Sequence, residues 1–126
     1  MKRTAESMVA GAKRRIENLE PAEVASELGQ GALLIDLREE DELRAQGWIP
    51  DSIWAPRGML EFWADIESPQ HRAEFDPERR LILYCSWGGR SALAADTLRQ
   101  MGYRAVAHLD GGLRAWKEIG LPVERS

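Results

Sequence analysis

The chain has 126 residues, a length that suits one domain burying its own core without staples. Hydrophobic residues make up 44% and charged residues 30%, the balance of a soluble globular protein. A net charge of −4 argues against a nucleic-acid or membrane-surface role, where a basic field is expected.

Residues 4–18 have helical composition but only a thin apolar stripe through Met8, Ala12 and Ile16. They read as an appended helix or a partly ordered arm, with Lys13-Arg14-Arg15 as a solvated face. The chain therefore divides into an N-terminal helical arm, residues 1–19, and one domain, residues 20–126. Pro21 suits the first turn of a helix with Val24, Ala25 and Leu28 on one face and Gly29 near its end. The run ALLID, 32–36, has the pattern of a buried strand. REEDELRAQG, 38–47, predicts a short charged helix closed by Gly47, and IPDSIWAP, 49–56, a turn and a short strand. Residues 58–65 look helical with Leu60 and Trp63 inward, and 67–79 form a loop. Strand LILYC, 81–85, precedes a helix over 91–102, strand AVAHL, 105–109, a Gly111-Gly112 turn and a last helix, 113–120. Strands alternating with helices indicate an α/β fold with a mostly parallel sheet flanked by helices.

In that class ligands sit beyond the carboxyl ends of the strands, where Cys85 lies. A lone cysteine at the end of an apolar strand is usually inert core. Here it is followed by Gly88-Gly89, Arg90 and a helix start. Glycines permit a tight backbone cradle, and a helix N-terminus adds a partial positive charge. Such a setting stabilises an anionic sulfur, and Arg90 supplies a planar donor fork for oxyanions. The local pattern points to a nucleophilic cysteine awaiting an anionic partner. One cysteine cannot form an internal disulfide, no apolar run has signal-peptide or membrane-spanning length, and the protein reads as cytoplasmic.

With these residues in view, the chain resembles the single-domain rhodanese-like sulfurtransferases over roughly Pro21 to Glu124. The family's cysteine loop appears as CSWGGRS, its strand-and-helix signature as LLIDLREEDEL with Asp36, Arg38 and Glu42, and its closing signature as GGLRAWKEIGLPV. Its glycine–His–Ile–Pro–glycine–Ala segment appears as GWIPDSIWAP, with Trp48 in place of the histidine and Asp51 in place of the glycine. The resemblance implies a rhodanese fold and a two-step reaction. Cys85 takes a sulfane sulfur from thiosulfate or a persulfide donor, then passes it to cyanide or a thiol acceptor. It implies no metal or organic cofactor. It makes Ser86, Trp87, Gly88, Gly89 and Arg90 the substrate-binding residues, their amides holding the transferred sulfur and Arg90 fixing the loop or the donor anion. A sulfur-relay protein is a further partner of this class. Ser86 stands where many active relatives carry arginine, which removes a cation and weakens the case for thiosulfate. Trp87 is placed to cap the loop or meet an acceptor.

Other residues read as structural. His71 is a surface histidine and His108 a hydrogen-bonded core histidine; the two with one cysteine make no metal-site spacing. Asp36 is assigned a structural hydrogen bond to a loop group. Arg57 forms either an anion contact at the sheet edge or a surface ion pair. Trp54, Trp63 and Trp116 fit packing positions. Two other functions compete. A cysteine phosphatase places five residues between cysteine and arginine, whereas only four intervene here, a ring better suited to one sulfur atom than to a phosphoryl group. A non-turnover binding or sulfur-relay module of the same fold is the second.

Overall fold

The computed structural model describes residues 3–126. Helix α1 (Ala5–Arg15) leads into strand β1 (Glu17–Leu19), helix α2 (Pro21–Leu28), β2 (Leu33–Asp36), α3 (Glu40–Gln46) and β3 (Ile53–Trp54). A 3-10 turn, Arg57–Met59, precedes α4 (Leu60–Ala64), and β4 (Leu81–Tyr84), α5 (Gly89–Gln100), β5 (Val106–Leu109) and α6 (Gly112–Glu118) complete the chain. The five strands form one sheet in the order β1-β5-β4-β2-β3, every pairing parallel.

Strands β2, β4 and β5 are buried along their whole length, as near-continuous apolar runs in a parallel sheet must be when helices cover both faces. Alternation divides the core. Leu33, Ile35, Leu81, Leu83 and Val106 face one layer with Leu60, Ala94 and Leu98 of α4 and α5. Leu34, Ile82, Tyr84, Ala107 and Leu109 face the other with Val24 of α2 and Trp116 of α6.

The register sets Asp36 beside Tyr84 at the carboxyl ends of β2 and β4. The Tyr84 hydroxyl donates to Asp36 at 2.7 Å, and the Arg38 guanidinium donates to both Asp36 oxygens at 2.9 and 2.7 Å. Arg38 also donates to the Gly47 carbonyl at 2.7 Å. Asp36 and Arg38 are 1% and 0% exposed, so this pair holds only because each charge is met by hydrogen bonds. The expected structural role of Asp36 is seen here. Arg38, by contrast, leaves the predicted surface helix for the core, and α3 begins at Glu40, with the Glu42 carboxylate accepting from the N-cap Glu39 N–H.

Residues 17–19 differ most from the sequence reading. Helix α1 packs on α5 with Ala12 buried, and β1 pairs with β5 as the sheet's outer strand. Three residues are too few for an alternation signal, so the pairing is set by β5. The basic cluster is likewise more than a solvated face: Lys13 meets Asp110 at 2.8 Å and Arg15 meets Asp96 at 2.8 Å. Of the tryptophans, Trp116 is buried, whereas Trp54 is 39% exposed and donates its indole N–H to the Arg38 carbonyl.

Candidate active site

Cys85 follows β4 directly, and its side chain is buried. Gly88 sits at φ 101°, a left-handed conformation that turns the chain from the strand into α5. Helix α5 therefore starts at Gly89, two residues earlier than its sequence pattern suggests, because the loop itself supplies the first turn. The result is that the Gly88 and Ser91 N–H groups donate to the Cys85 sulfur at 3.2 and 3.4 Å. Gly89 and Arg90 open the helix, so their N–H groups have no intrahelical acceptor.

The loop is also held from behind. The Leu113 and Arg114 N–H groups, at the start of α6, donate to the Cys85 and Ser86 carbonyls at 2.8 and 3.1 Å. A trans peptide points its N–H opposite to its C=O. Gripping those two carbonyls therefore turns the Ser86 and Trp87 N–H groups away from α6. This contact requires Gly112, at φ 63°, because a Cβ there would lie 2.5 Å from the Cys85 carbonyl oxygen.

Arg90 ties the loop to helix α3. Its guanidinium donates twice to Glu42, both bonds at 2.8 Å, and the Ser86 hydroxyl donates to the same carboxylate at 3.0 Å. The Arg90 bonds, above all, hold Glu42 well below the usual carboxylate range, at about 2. Glu42 stood in a recognisable motif position but without a role in the sequence. Gln46, one turn later on α3, lies on the same side near Ser86, and this i, i+4 spacing was the available signal.

Trp87 projects from the loop, 68% exposed, with the Arg114 guanidinium 4.5 Å from its ring centre. Beside it lies a cleft of about 450 Å³ bounded by Gln46, Ser86, Leu113, Arg114 and Lys117. Arg57 forms an ion pair with Glu61 at 2.8 Å, the second of its two readings. His71 contacts the Phe75 carbonyl at 3.0 Å, away from the loop. His108 is fully buried and hydrogen-bonded, and one of its two partners is Ser91 of the cysteine loop, at 2.9 Å. No sequence pattern had joined His108 to the site, since the contact crosses from β5 to α5.

Residues 20–119 match the family described as rhodanese-like domain. The chain belongs to the rhodanese-like family. A sulfurtransferase of Allochromatium vinosum is 36% identical over 94 residues, covering 75% of this chain and 79% of that protein. The polysulfide-sulfur transferase homodimer of Wolinella succinogenes superposes with a TM-score of 0.78 at 31% identity, over 96% of this chain and 87% of that one. A Rhodopseudomonas palustris protein, described as of unknown function and a possible tyrosine phosphatase, superposes with a TM-score of 0.93 at 38% identity, over 98% and 96% of the two chains. The α/β rhodanese fold expected from the sequence is the fold observed, and the chain stands among sulfurtransferases.

Proposed function

We propose that this rhodanese-like protein moves a sulfane sulfur from thiosulfate or a persulfide donor to cyanide or a thiol acceptor, with Cys85 as carrier. The observation that carries this reading is the Cys85 sulfur accepting two backbone N–H bonds inside a ring of four residues closed by Arg90. The Cys85 thiolate attacks the outer sulfur of the donor. The donor's S–S bond breaks, its electron pair leaves with sulfite or the donor thiolate, and a Cys85 persulfide forms. A thiolate or cyanide acceptor then attacks the terminal sulfur, and the electron pair of the cleaved S–S bond returns to Cys85. The N–H groups of residues 86–90 hold the terminal sulfur's negative charge, which is the part backbone dipoles play best in a water-poor site.

Arg90 is engaged by Glu42, and Ser86 adds a hydroxyl rather than a cation. This favours a low-charge persulfide donor, free or presented by a sulfur-relay protein, over the thiosulfate dianion. The same pairing disfavours phosphatase chemistry, which needs the arginine fork turned toward phosphate. Intact mass spectrometry tests the reading. After incubation with a sulfur donor the protein should gain one sulfur atom, removable by cyanide, and Cys85→Ser should gain none. Sulfur transfer persisting in Cys85→Ser, or hydrolysis of an aryl phosphate without any sulfur gain by the wild type, would overturn it.

A further inference from the structure

Behind the cysteine loop runs a chain of four side chains. The Cys85 thiol donates to the Ser91 hydroxyl oxygen at 3.5 Å, Ser91 lies 2.9 Å from Nδ1 of His108, and Nε2 of His108 lies 2.8 Å from Oδ1 of Asn18. The amide of Asn18 fixes the direction of every proton in it. Its NH2 group donates to the Lys13 and Ile16 carbonyls at 2.9 and 3.3 Å, so only its oxygen faces the ring. That oxygen can only accept, so Nε2 of His108 carries a proton. In a neutral ring Nδ1 is then an acceptor, and the Ser91 hydroxyl must donate to it. The competing acceptor for that hydroxyl, the Gly88 carbonyl, is farther away at 3.3 Å.

We propose that His108, oriented by Asn18, is a positioning residue for sulfur transfer: its Nδ1 accepts the hydrogen bond of the Ser91 hydroxyl, so that Ser91 accepts from the Cys85 thiol and withholds a donor from the thiolate. The inference rests on Cys85 being the sulfur carrier. A thiolate with one donor fewer is a stronger nucleophile, because hydrogen bonds that stabilise the anion also quiet it. The terminal sulfur of a persulfide, by contrast, meets the N–H groups of the loop. Ser91 thereby leaves the inner sulfur reactive while the backbone holds the transferred one.

Burial is the main reason the ring stays neutral, pushing His108 down to about 4. Around it, Asp110 at the end of β5 favours the imidazolium, while Lys13 of α1 opposes it and is itself paired to Asp110. Arg90 is the charge that faces Cys85, with Glu42 and Glu39 near it. None of these groups offers Ser91 another acceptor.

Alkylation of Cys85 by iodoacetamide against pH tests the proposal without using sulfur transfer, so its failure is separate from failure of the proposed function. His108→Leu should move the profile to lower pH, because Ser91 can then donate to the thiolate, and the plateau rate should fall, about threefold for each pH unit of movement. Asn18→Leu changes an exposed strand residue, frees the His108 tautomer and should act in the same direction, which guards against misfolding of the buried variant. In a Ser91→Ala background both changes should lose their effect. Nitrogen NMR of histidine-labelled wild type should show His108 neutral with its proton on Nε2. A profile that stays put in both variants overturns the proposal, as does a proton on Nδ1. Movement to higher pH also overturns it and makes His108 the proton acceptor for the thiol instead.

Discussion

Glu42 stands at the rim of the cysteine loop with three donated hydrogen bonds from Arg90 and Ser86. Its ordinary value of 4.5 falls to about 2 in the fold, chiefly through Arg90. A carboxylate depressed in this way contributes stability that is present above the unfolded value and lost as pH falls through the folded one. Glu42→Gln should therefore lower stability at pH 6 by about 1 kcal/mol or less, since the pair is partly solvated. The gap to wild type should close as pH drops from 4.5 toward 2. Urea midpoints at a series of pH values check this, and a gap constant across that window would show that the charge is not what matters. At this scale the sequence was informative where the chemistry is local. Cys85, the glycines and Arg90 lie within six consecutive residues and share one loop. Glu42 and His108 arrive from other elements: the i, i+4 spacing of Glu42 and Gln46 was the one local sign for the first, and nothing in the neighbourhood of His108 marks it as a partner of that loop.

Helix α6 acts on the site through its backbone. The N–H groups that open a helix lack internal acceptors, and here two of them take up carbonyls of the loop. Gly112→Ala should disturb this twice over. A non-glycine residue at that φ costs about 1–2 kcal/mol, and the new Cβ would displace the Cys85 carbonyl. The expected outcome is a lower melting temperature together with slower persulfide formation, measured by intact mass at short times. A variant that only melts earlier, with unchanged persulfide kinetics, would mean that α6 supports the fold and not the loop geometry. The sequence announced α6 and its glycine turn, but the turn read as a chain reversal. Its contact with Cys85 spans nearly thirty residues, beyond what periodicity or turn chemistry can report.

For the molecule as a whole, the parallel order β1-β5-β4-β2-β3 puts the cysteine loop at the centre of the sheet's carboxyl edge. The fold class was readable because strand and helix patterns alternate clearly from residue 21 onward. The pairing of residues 17–19 was not, since β1 has three residues and α1 only a thin apolar stripe. Both elements nevertheless close one side of the core, and β1 covers the edge of the otherwise buried β5. A chain trimmed to residues 20–126 should therefore be markedly less stable. Leu19 is 4% exposed, and losing the burial of one such side chain costs about 2 kcal/mol, or roughly 6 °C in melting temperature for a chain of this size. Calorimetry on the trimmed protein decides the matter: unchanged melting would make residues 1–19 a detachable arm after all.

The grip of α6 on the loop has one more consequence. It is made through carbonyls that every residue possesses, so it asks nothing of the side chains at positions 86 and 87. A change at either position leaves the Ser86 and Trp87 N–H groups aimed away from α6, and costs at position 86 only the hydroxyl's bond to Glu42. Selectivity for one donor or acceptor over another can then drift at the mouth of the site, by exchanging Ser86 or Trp87, without re-inventing the reaction beneath. For the sulfur transfer proposed above, the architecture would separate the chemistry from the choice of partner.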